Sequence, residues 1–280
     1  MREVSYQQIV EAVARLAIES NCRLGEDVRR GLEKARAAEE SPLGRDILEK
    51  ILENVDLAAE KGLPLCQDTG QALVFVDLGQ EIRVTGGSLT EAVNQGVRQG
   101  YQEGFLRKSM VAGLDPRINT GDNTPAVIFY NVVPGDSLKI TLLPKGGGSE
   151  NMGGVKMLQP ADGTAGIEEF VVETVERADA NPCPPIIVGV GIGGTMEKAA
   201  LLSKQALLRP LDTKNPDPRL AEMEAELLEQ INSLGIGPQG MGGRITALGV
   251  HIETYPTHIA CLPVAVSINC HCARHREVVL

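Results

Sequence analysis

The stretch ALVFVDLG (residues 72–79) decides the fold class. It is a short apolar run broken only by Asp77 and closed by Gly79, which reads as a buried strand. Upstream of it the first 62 residues read as helical. Ile9, Val13, Leu16 and Ala17 follow helical spacing. Ser41-Pro42 opens a second helix with a cap and a first-turn proline. That helix carries Ile47, Ile51, Leu52 and Val55 and stops at Gly62. Downstream, Ser88 to Glu91 is a capping-box pattern for a helix to about Glu103. PAVIFYNVV (125–133) and SLKITLLP (137–144), with PGD between them, read as two strands joined by a turn. Helices are expected at about 164–178, 195–209 and 217–234, and strands at about 185–192, 245–252 and 260–269. The expected fold is mixed α/β (α+β): a helical N-terminal segment, then mixed sheets flanked by helices. No internal repeat or low-complexity linker divides it, so residues 1–280 are expected to form a single domain.

The chain of 280 residues is 42% hydrophobic and 23% charged, which suits a folded protein with a sizeable core. No run approaches the roughly 18 apolar residues of a membrane span. MREVSYQQ at the start lacks the apolar core of a secretory signal, so a cytoplasmic location is expected. The net charge of −10 and the 3% aromatic content, without tryptophan, disfavour a nucleic-acid role. A locally basic site can still accept an anionic substrate.

Two glycine-rich segments stand out. Lys145-Gly146-Gly147-Gly148-Ser149-Glu150-Asn151 follows a strand and offers backbone N–H groups beside a lysine, a cradle for a carboxylate or phosphate. Its plainer reading is a tight connection. Gly189-Val190-Gly191-Ile192-Gly193-Gly194 formally matches the dinucleotide pattern G-x-G-x-x-G, with Asp212 about 20 residues beyond. Asp212 lies in the loop-like LRPLDTKNPDP, where a second strand should end, so an NAD-dependent oxidoreductase is a distant alternative.

Six cysteines are present: Cys22, Cys66, Cys183, Cys261, Cys270 and Cys272. A chain of this kind is expected to keep them reduced. Cys261 and Cys22 read as structural. Cys66, Cys183 and Cys270 lie in loops of polar, proline and glycine residues next to strands. No C-x-x-C pair occurs, which argues against a zinc ribbon. Three dispersed loop thiols either are unrelated or converge on an iron–sulfur cluster with one iron open to a ligand.

Cys66-Gln67-Asp68-Thr69-Gly70, the run Gly121-Asp122-Asn123-Thr124-Pro125, the Lys145–Asn151 loop, Cys183-Pro184-Pro185 and Cys270-His271 occur in this order along almost the whole chain. Together they resemble the class I fumarate hydratase family, whose relatives include the α subunits of two-subunit fumarases and of L-tartrate dehydratase. The resemblance implies a [4Fe-4S] cluster on Cys66, Cys183 and Cys270, with Cys272 a possible competitor for the last place. It implies catalytic roles for Asp68 and for His258, which lies 12 residues before Cys270. It implies substrate contacts from Gln67, Arg107, Lys145 and Gly148. Arg274 and His275 are expected at a partner chain.

The activity implied is reversible hydration of fumarate to (S)-malate, with L-tartrate dehydration to oxaloacetate as the alternative. Single-chain relatives carry a second, C-terminal domain that supplies further substrate residues. The present chain corresponds to their N-terminal domain. It is therefore expected to need a fumarase β subunit, as a heterodimer or an α2β2 assembly, and to be nearly inactive alone.

Overall fold

The computed structural model describes residues 2–280. In chain order the elements are β1 (Arg2–Ser5), α1 (Tyr6–Cys22), α2 (Glu26–Ala38), α3 (Pro42–Lys61), β2 (Gln71–Gly79), β3 (Ile82–Thr85) and α4 (Leu89–Glu103). A small hairpin of β4 (Val111–Ala112) and β5 (Ile118–Asn119) follows, then β6 (Val127–Val133), β7 (Leu138–Lys145), the single turn α5 (Gly147–Glu150) and β8 (Gly154–Leu158). The remainder is α6 (Gly163–Ala178), β9 (Ile186–Gly193), α7 (Met196–Ala206), α8 (Pro218–Ser233), β10 (Ala247–Tyr255), β11 (Leu262–Asn269) and β12 (Arg276–Val279). The class is mixed α/β. Among the described residues no helix is long and apolar enough to cross a membrane. The chain divides into two compact units, one of residues up to Leu24 with Val55–Gly147 and Arg274–Leu280, the other of Gly25–Asn54 and Gly148–Ala273.

The first unit holds a four-stranded sheet in the order β12-β7-β2-β6. β2 pairs antiparallel with β7 and parallel with β6. The strands at 127–133 and 138–145 therefore form as the sequence indicates, but they are not neighbours, because β2 lies between them. The Pro134–Ser137 connection passes around the end of β2 instead: Gly79 N–H donates to Ser137 O and Glu81 N–H to Gly135 O. One face alternates Ala72, Val74 and Val76 with Leu138, Ile140 and Leu142 and buries them against α1 and α4. α1 starts at a capping box of Ser5 and Gln8. The box expected at Ser88 does not form; Ser88 makes no side-chain cap bond, and Glu91 faces Arg98 at 3.7 Å.

The second unit holds a sheet in the order β10-β9-β11-β8. β9 runs parallel to β10 and antiparallel to β11. Ile186, Val188 and Val190 share a core with Phe170, Val171 and Val175 of α6 and Met223, Leu227 and Ile231 of α8. The alternate residues of β9 meet α7. The glycines at 189, 191 and 193 lie inside this strand, not in a loop before a helix. A Cβ at Gly189 would sit 2.2 Å from Ser203 O, and one at Gly191 2.1 Å from Ala199 O. These glycines let the α7 backbone lie directly on the sheet. Asp212 meanwhile pairs with Arg30 at 2.6 Å on an exposed turn. Gly191→Ala is therefore expected to lower stability by about 1–3 kcal/mol or more through overpacking. Chemical denaturation checks it; an unchanged midpoint would mean that α7 can retreat without cost.

Candidate active site

The turn Cys66–Gly70 belongs to the first unit and is held from several sides. Leu65 N–H donates to Asn21 O at 2.9 Å. Cys66 Sγ accepts the Asp68 N–H at 3.4 Å and lies 3.3 Å from Gln67 Oε1. The Asp68 carboxylate is fixed at both oxygens: Gly70 N–H donates to Oδ1 at 2.9 Å and Gly147 N–H to Oδ2 at 2.8 Å. Gly70 has φ +69° and its missing side chain would strike the Lys145 carbonyl carbon at 2.5 Å, so the turn requires glycine here. The glycine-rich segment after β7 thus supplies a backbone donor to the acid of the turn.

Further side chains support the same turn. Thr69 Oγ1 donates to Arg107 O at 3.0 Å. The buried Tyr101 hydroxyl lies 2.9 Å from Thr69 O and 3.0 Å from Gly70 O. Burial pushes the Tyr101 phenol up, so it remains a donor at neutral pH. Asn123 has φ +62°; its Nδ2 donates to Gly70 O at 3.2 Å, and its Oδ1 accepts from Ser109 N–H at 2.7 Å and Met110 N–H at 3.2 Å. Arg274 is only 4% exposed; its Nη2 donates to Asp68 O at 2.9 Å and to Asn21 Oδ1 at 3.2 Å. The sequence placed Arg274 at a partner chain, but the side chain turns inward because a buried guanidinium needs these acceptors. Arg107 is exposed, and its backbone carbonyl rather than its guanidinium joins the network. Lys145 is buried at the end of β7, and Gly148 is exposed in α5.

Asp122 anchors the neighbouring turn. Its Oδ1 accepts from Thr124 N–H and Oγ1, and its Oδ2 from Arg98 Nε at 2.9 Å. Burial works against the charge, but the Arg98 and Thr124 contacts outweigh it and bring the carboxyl down to about 2. A lowered folded-state pKa stabilises the fold above the ordinary carboxylate value, and that contribution is lost as pH falls through about 2. Acid unfolding of Asp122→Asn is expected to show a flatter stability profile between about pH 4 and pH 2 than wild type. Superposable profiles would remove Asp122 from the acid limb.

Cys183 and Cys270 belong to the second unit, and hydrogen bonds tie their loops together. Cys183 is exposed with φ +55°. Its carbonyl oxygen accepts the His271 N–H at 3.4 Å and lies 3.0 Å from His271 Nδ1. Gln239 donates to Pro184 O from its backbone N–H at 2.8 Å and from Nε2 at 2.6 Å, and Nε2 lies 3.1 Å from His271 Nδ1. The sequence reading passed over Gln239. Its signal was the run Gly237-Pro238-Gln239-Gly240-Met241-Gly242-Gly243, whose glycines all have positive φ. The next turn is pinned by buried Glu39, which accepts from Arg244 N–H at 3.0 Å and Ile245 N–H at 2.8 Å. His258 lies in an exposed loop; its Nδ1 accepts the Ala260 N–H at 3.1 Å, so the neutral ring carries its proton on Nε2.

The thiols fit an iron–sulfur group by type and exposure. None of the six cysteines forms a disulfide; Cys66 and Cys270 are half-buried and Cys183 exposed, whereas Cys22 and Cys272 are buried. The N–H contact to Cys66 Sγ is of the kind that tunes a cluster sulfur. Among the described residues no three His, Cys, Asp or Glu side chains gather at a single-ion site. A cluster does not need that, since each thiolate takes a different iron.

On this mixed α/β scaffold the Cys66–Gly70 turn sets a half-buried thiol two residues from a carboxylate clamped by two backbone N–H groups. The model of the family "Fumarate hydratase (Fumerase)" matches residues 10–279. The "Putative L(+)-tartrate dehydratase subunit alpha" of Methanocaldococcus jannaschii is 44% identical over 271 residues, covering 94% of each chain. The "L(+)-tartrate dehydratase subunit alpha" of Escherichia coli strain UTI89 is 36% identical over 273 residues, covering 96% of this chain and 89% of the relative. The protein of the same name from strain K12 is 35% identical over the same length. The chain belongs to the fumarate hydratase family, and with it to the hydro-lyases.

Proposed function

We propose that the chain is the α subunit of a [4Fe-4S] hydro-lyase that reversibly hydrates fumarate to (S)-malate. The observation that carries the reading is the Cys66–Gly70 turn, where a sulfur accepting a backbone N–H stands beside a carboxylate clamped by Gly70 and Gly147. Cys66, Cys183 and Cys270 hold the cluster. When bound, it supplies an iron with an open position, a Lewis acid for the substrate hydroxyl. Asp68 exchanges the proton. Each of its oxygens keeps a lone pair after accepting one N–H, and the clamp fixes where that lone pair points. His258, with Nε2–H available as a donor, tunes the proton affinity of Asp68. Arg107 grips a substrate carboxylate by two parallel hydrogen bonds, and Gln67, Lys145 and Gly148 add donors.

The remaining substrate contacts come from a β subunit, in a heterodimer or α2β2 assembly, so residues 1–280 act as one module that is nearly inactive alone. The relatives' designation as subunits alpha supports this. A cytoplasmic setting, which keeps thiols reduced, suits the three ligands.

A second reading, dehydration of L-tartrate to oxaloacetate, is favoured by the names of the relatives at 44% and 36% identity. Iron and acid-labile sulfide are measured after anaerobic purification, with spectra before and after malate and after tartrate, and turnover is assayed with the β subunit. About four irons per chain, a spectral change on malate and malate turnover support the first reading. Tartrate turnover without malate turnover selects the second. A chain that takes up no iron on reconstitution sinks both.

A further inference from the structure

Within the second unit, half-buried Gln239 touches the segments of two cysteines at once. Pro184 O accepts the Gln239 N–H at 2.8 Å and an Nε2–H at 2.6 Å, which uses both lone pairs of that carbonyl. The same Nε2 lies 3.1 Å from Nδ1 of His271, the residue after Cys270. His271 in turn donates its N–H to Cys183 O at 3.4 Å, and its Nδ1 lies 3.0 Å from that oxygen. In one tautomer Nδ1–H donates to Cys183 O; in the other Nδ1 accepts from Gln239. Both tautomers join His271 to the Cys183–Pro184 segment, the second of them through Gln239.

The backbone at Cys183 needs such support. Its φ of +55° lies in the left-handed region, which few residues other than glycine adopt. A residue before proline is ordinarily extended. A conformation of this kind persists only where its surroundings over-determine it. The support is anchored in its own loop. A Cβ at Gly240 would sit 2.3 Å from the Ala180 Cβ, so the loop lies directly on the chain three residues before Cys183. Gly237 N–H donates to the hydroxyl of fully buried Thr246 at 3.2 Å, and Gly242 N–H closes the loop on Ile236 O at 2.9 Å. Gln239 has φ +53°, so this closed backbone decides where its amide points.

We propose that Gln239 is a positioning residue for the iron–sulfur cluster. It fixes the Cys183–Pro184 and Cys270–His271 segments against each other before the cluster is taken up, so that binding does not have to order them. It is not a ligand; it acts through Pro184 and His271, as an outer contact that orients the groups holding a metal. The inference rests on the reading of Cys183 and Cys270 as ligands given above.

Gln239→Met tests it in the full chain, reconstituted without oxygen. Methionine keeps the backbone N–H bond to Pro184 O and removes only the Nε2 donor. Iron loss to a ferrous chelator is expected to quicken by about 10- to 100-fold. The electron paramagnetic resonance spectrum of the dithionite-reduced cluster is expected to shift, while circular dichroism and the melting temperature of the iron-free chain stay as in wild type. Gln239→Glu keeps the shape without the donor and is expected to behave in the same way, which covers a Gln239→Met chain that fails to fold. Met241→Ala, at a position 63% exposed in the same loop, is expected to match wild type. Wild-type iron loss and spectrum in a folded Gln239 variant overturn the inference and leave the cluster standing. So does faster loss with an unshifted spectrum, or an equal effect in Met241→Ala, since the loop is then merely loosened. A wild-type chain that takes up no iron overturns the cluster reading, and this inference with it.

Discussion

Asp68→Asn is expected to retain iron and sulfide at the wild-type level and to lower kcat by about 100- to 10,000-fold, the usual contribution of a positioned acid or base. The amide is nearly isosteric, so substrate access to the site is unchanged. It cannot, however, accept N–H bonds at both ends. One of the two donors, Gly70 or Gly147, must face an NH2 group in place of an oxygen. That mismatch is expected to cost about 1–3 kcal/mol of local stability. The two effects separate by readout. A turn disturbed by the lost hydrogen bond changes the cluster spectrum and KM, while loss of the proton carrier changes kcat with the spectrum intact. Activity above a tenth of wild type with a normal spectrum would remove Asp68 from proton transfer.

What the sequence revealed depended on how local each signal was. The helices at 42–61, 163–178 and 218–233 follow from periodicity and terminal residues within the segment itself, and they form where expected. The strands at 71–79 and 186–193 are also legible as apolar runs. The order of strands is not, because the choice of β2 over β7 as the neighbour of β6 is settled by pairing across more than 50 residues. A glycine-rich strand and a glycine-rich loop look alike in one dimension. Only the approach of Ala199 and Ser203 shows that Gly191 and Gly189 serve packing. At the candidate site, Cys66 and Asp68 stand out as a pair because only Gln67 separates them. Tyr101, Asn123 and Arg274 do not, since each acts on the 66–70 turn from 31 or more residues away in sequence. An ordinary tyrosine in the last turn of a helix gives no sign that its hydroxyl serves a distant carbonyl.

Serine in place of Cys66, Cys183 or Cys270 is expected to abolish most cluster retention in each case, because an alkoxide does not form at neutral pH and a serine hydroxyl is a poor iron ligand. Cys22→Ser is expected to retain the cluster. Cys22 is buried, its sulfur contacts Gly62 O at 3.7 Å, and burial pushes its thiol up, so it stays protonated and inward. Cys272 provides the sharper comparison. It lies two residues beyond Cys270 and is buried, whereas Cys270 is half-buried beside His271, which is bonded to the Cys183 carbonyl. Iron content therefore has two contrasting outcomes. Loss in Cys270→Ser with retention in Cys272→Ser supports Cys270 as the ligand, and the reverse pattern transfers that role to Cys272. Alkylation gives a readout independent of activity. In the protein freed of iron the exposed Cys183 thiol is expected to react fastest of the six, and reconstitution is expected to protect Cys66, Cys183 and Cys270 together. Protection that leaves any one of the three as reactive as before would break the set, because a thiolate bound to iron is not available to an alkylating agent.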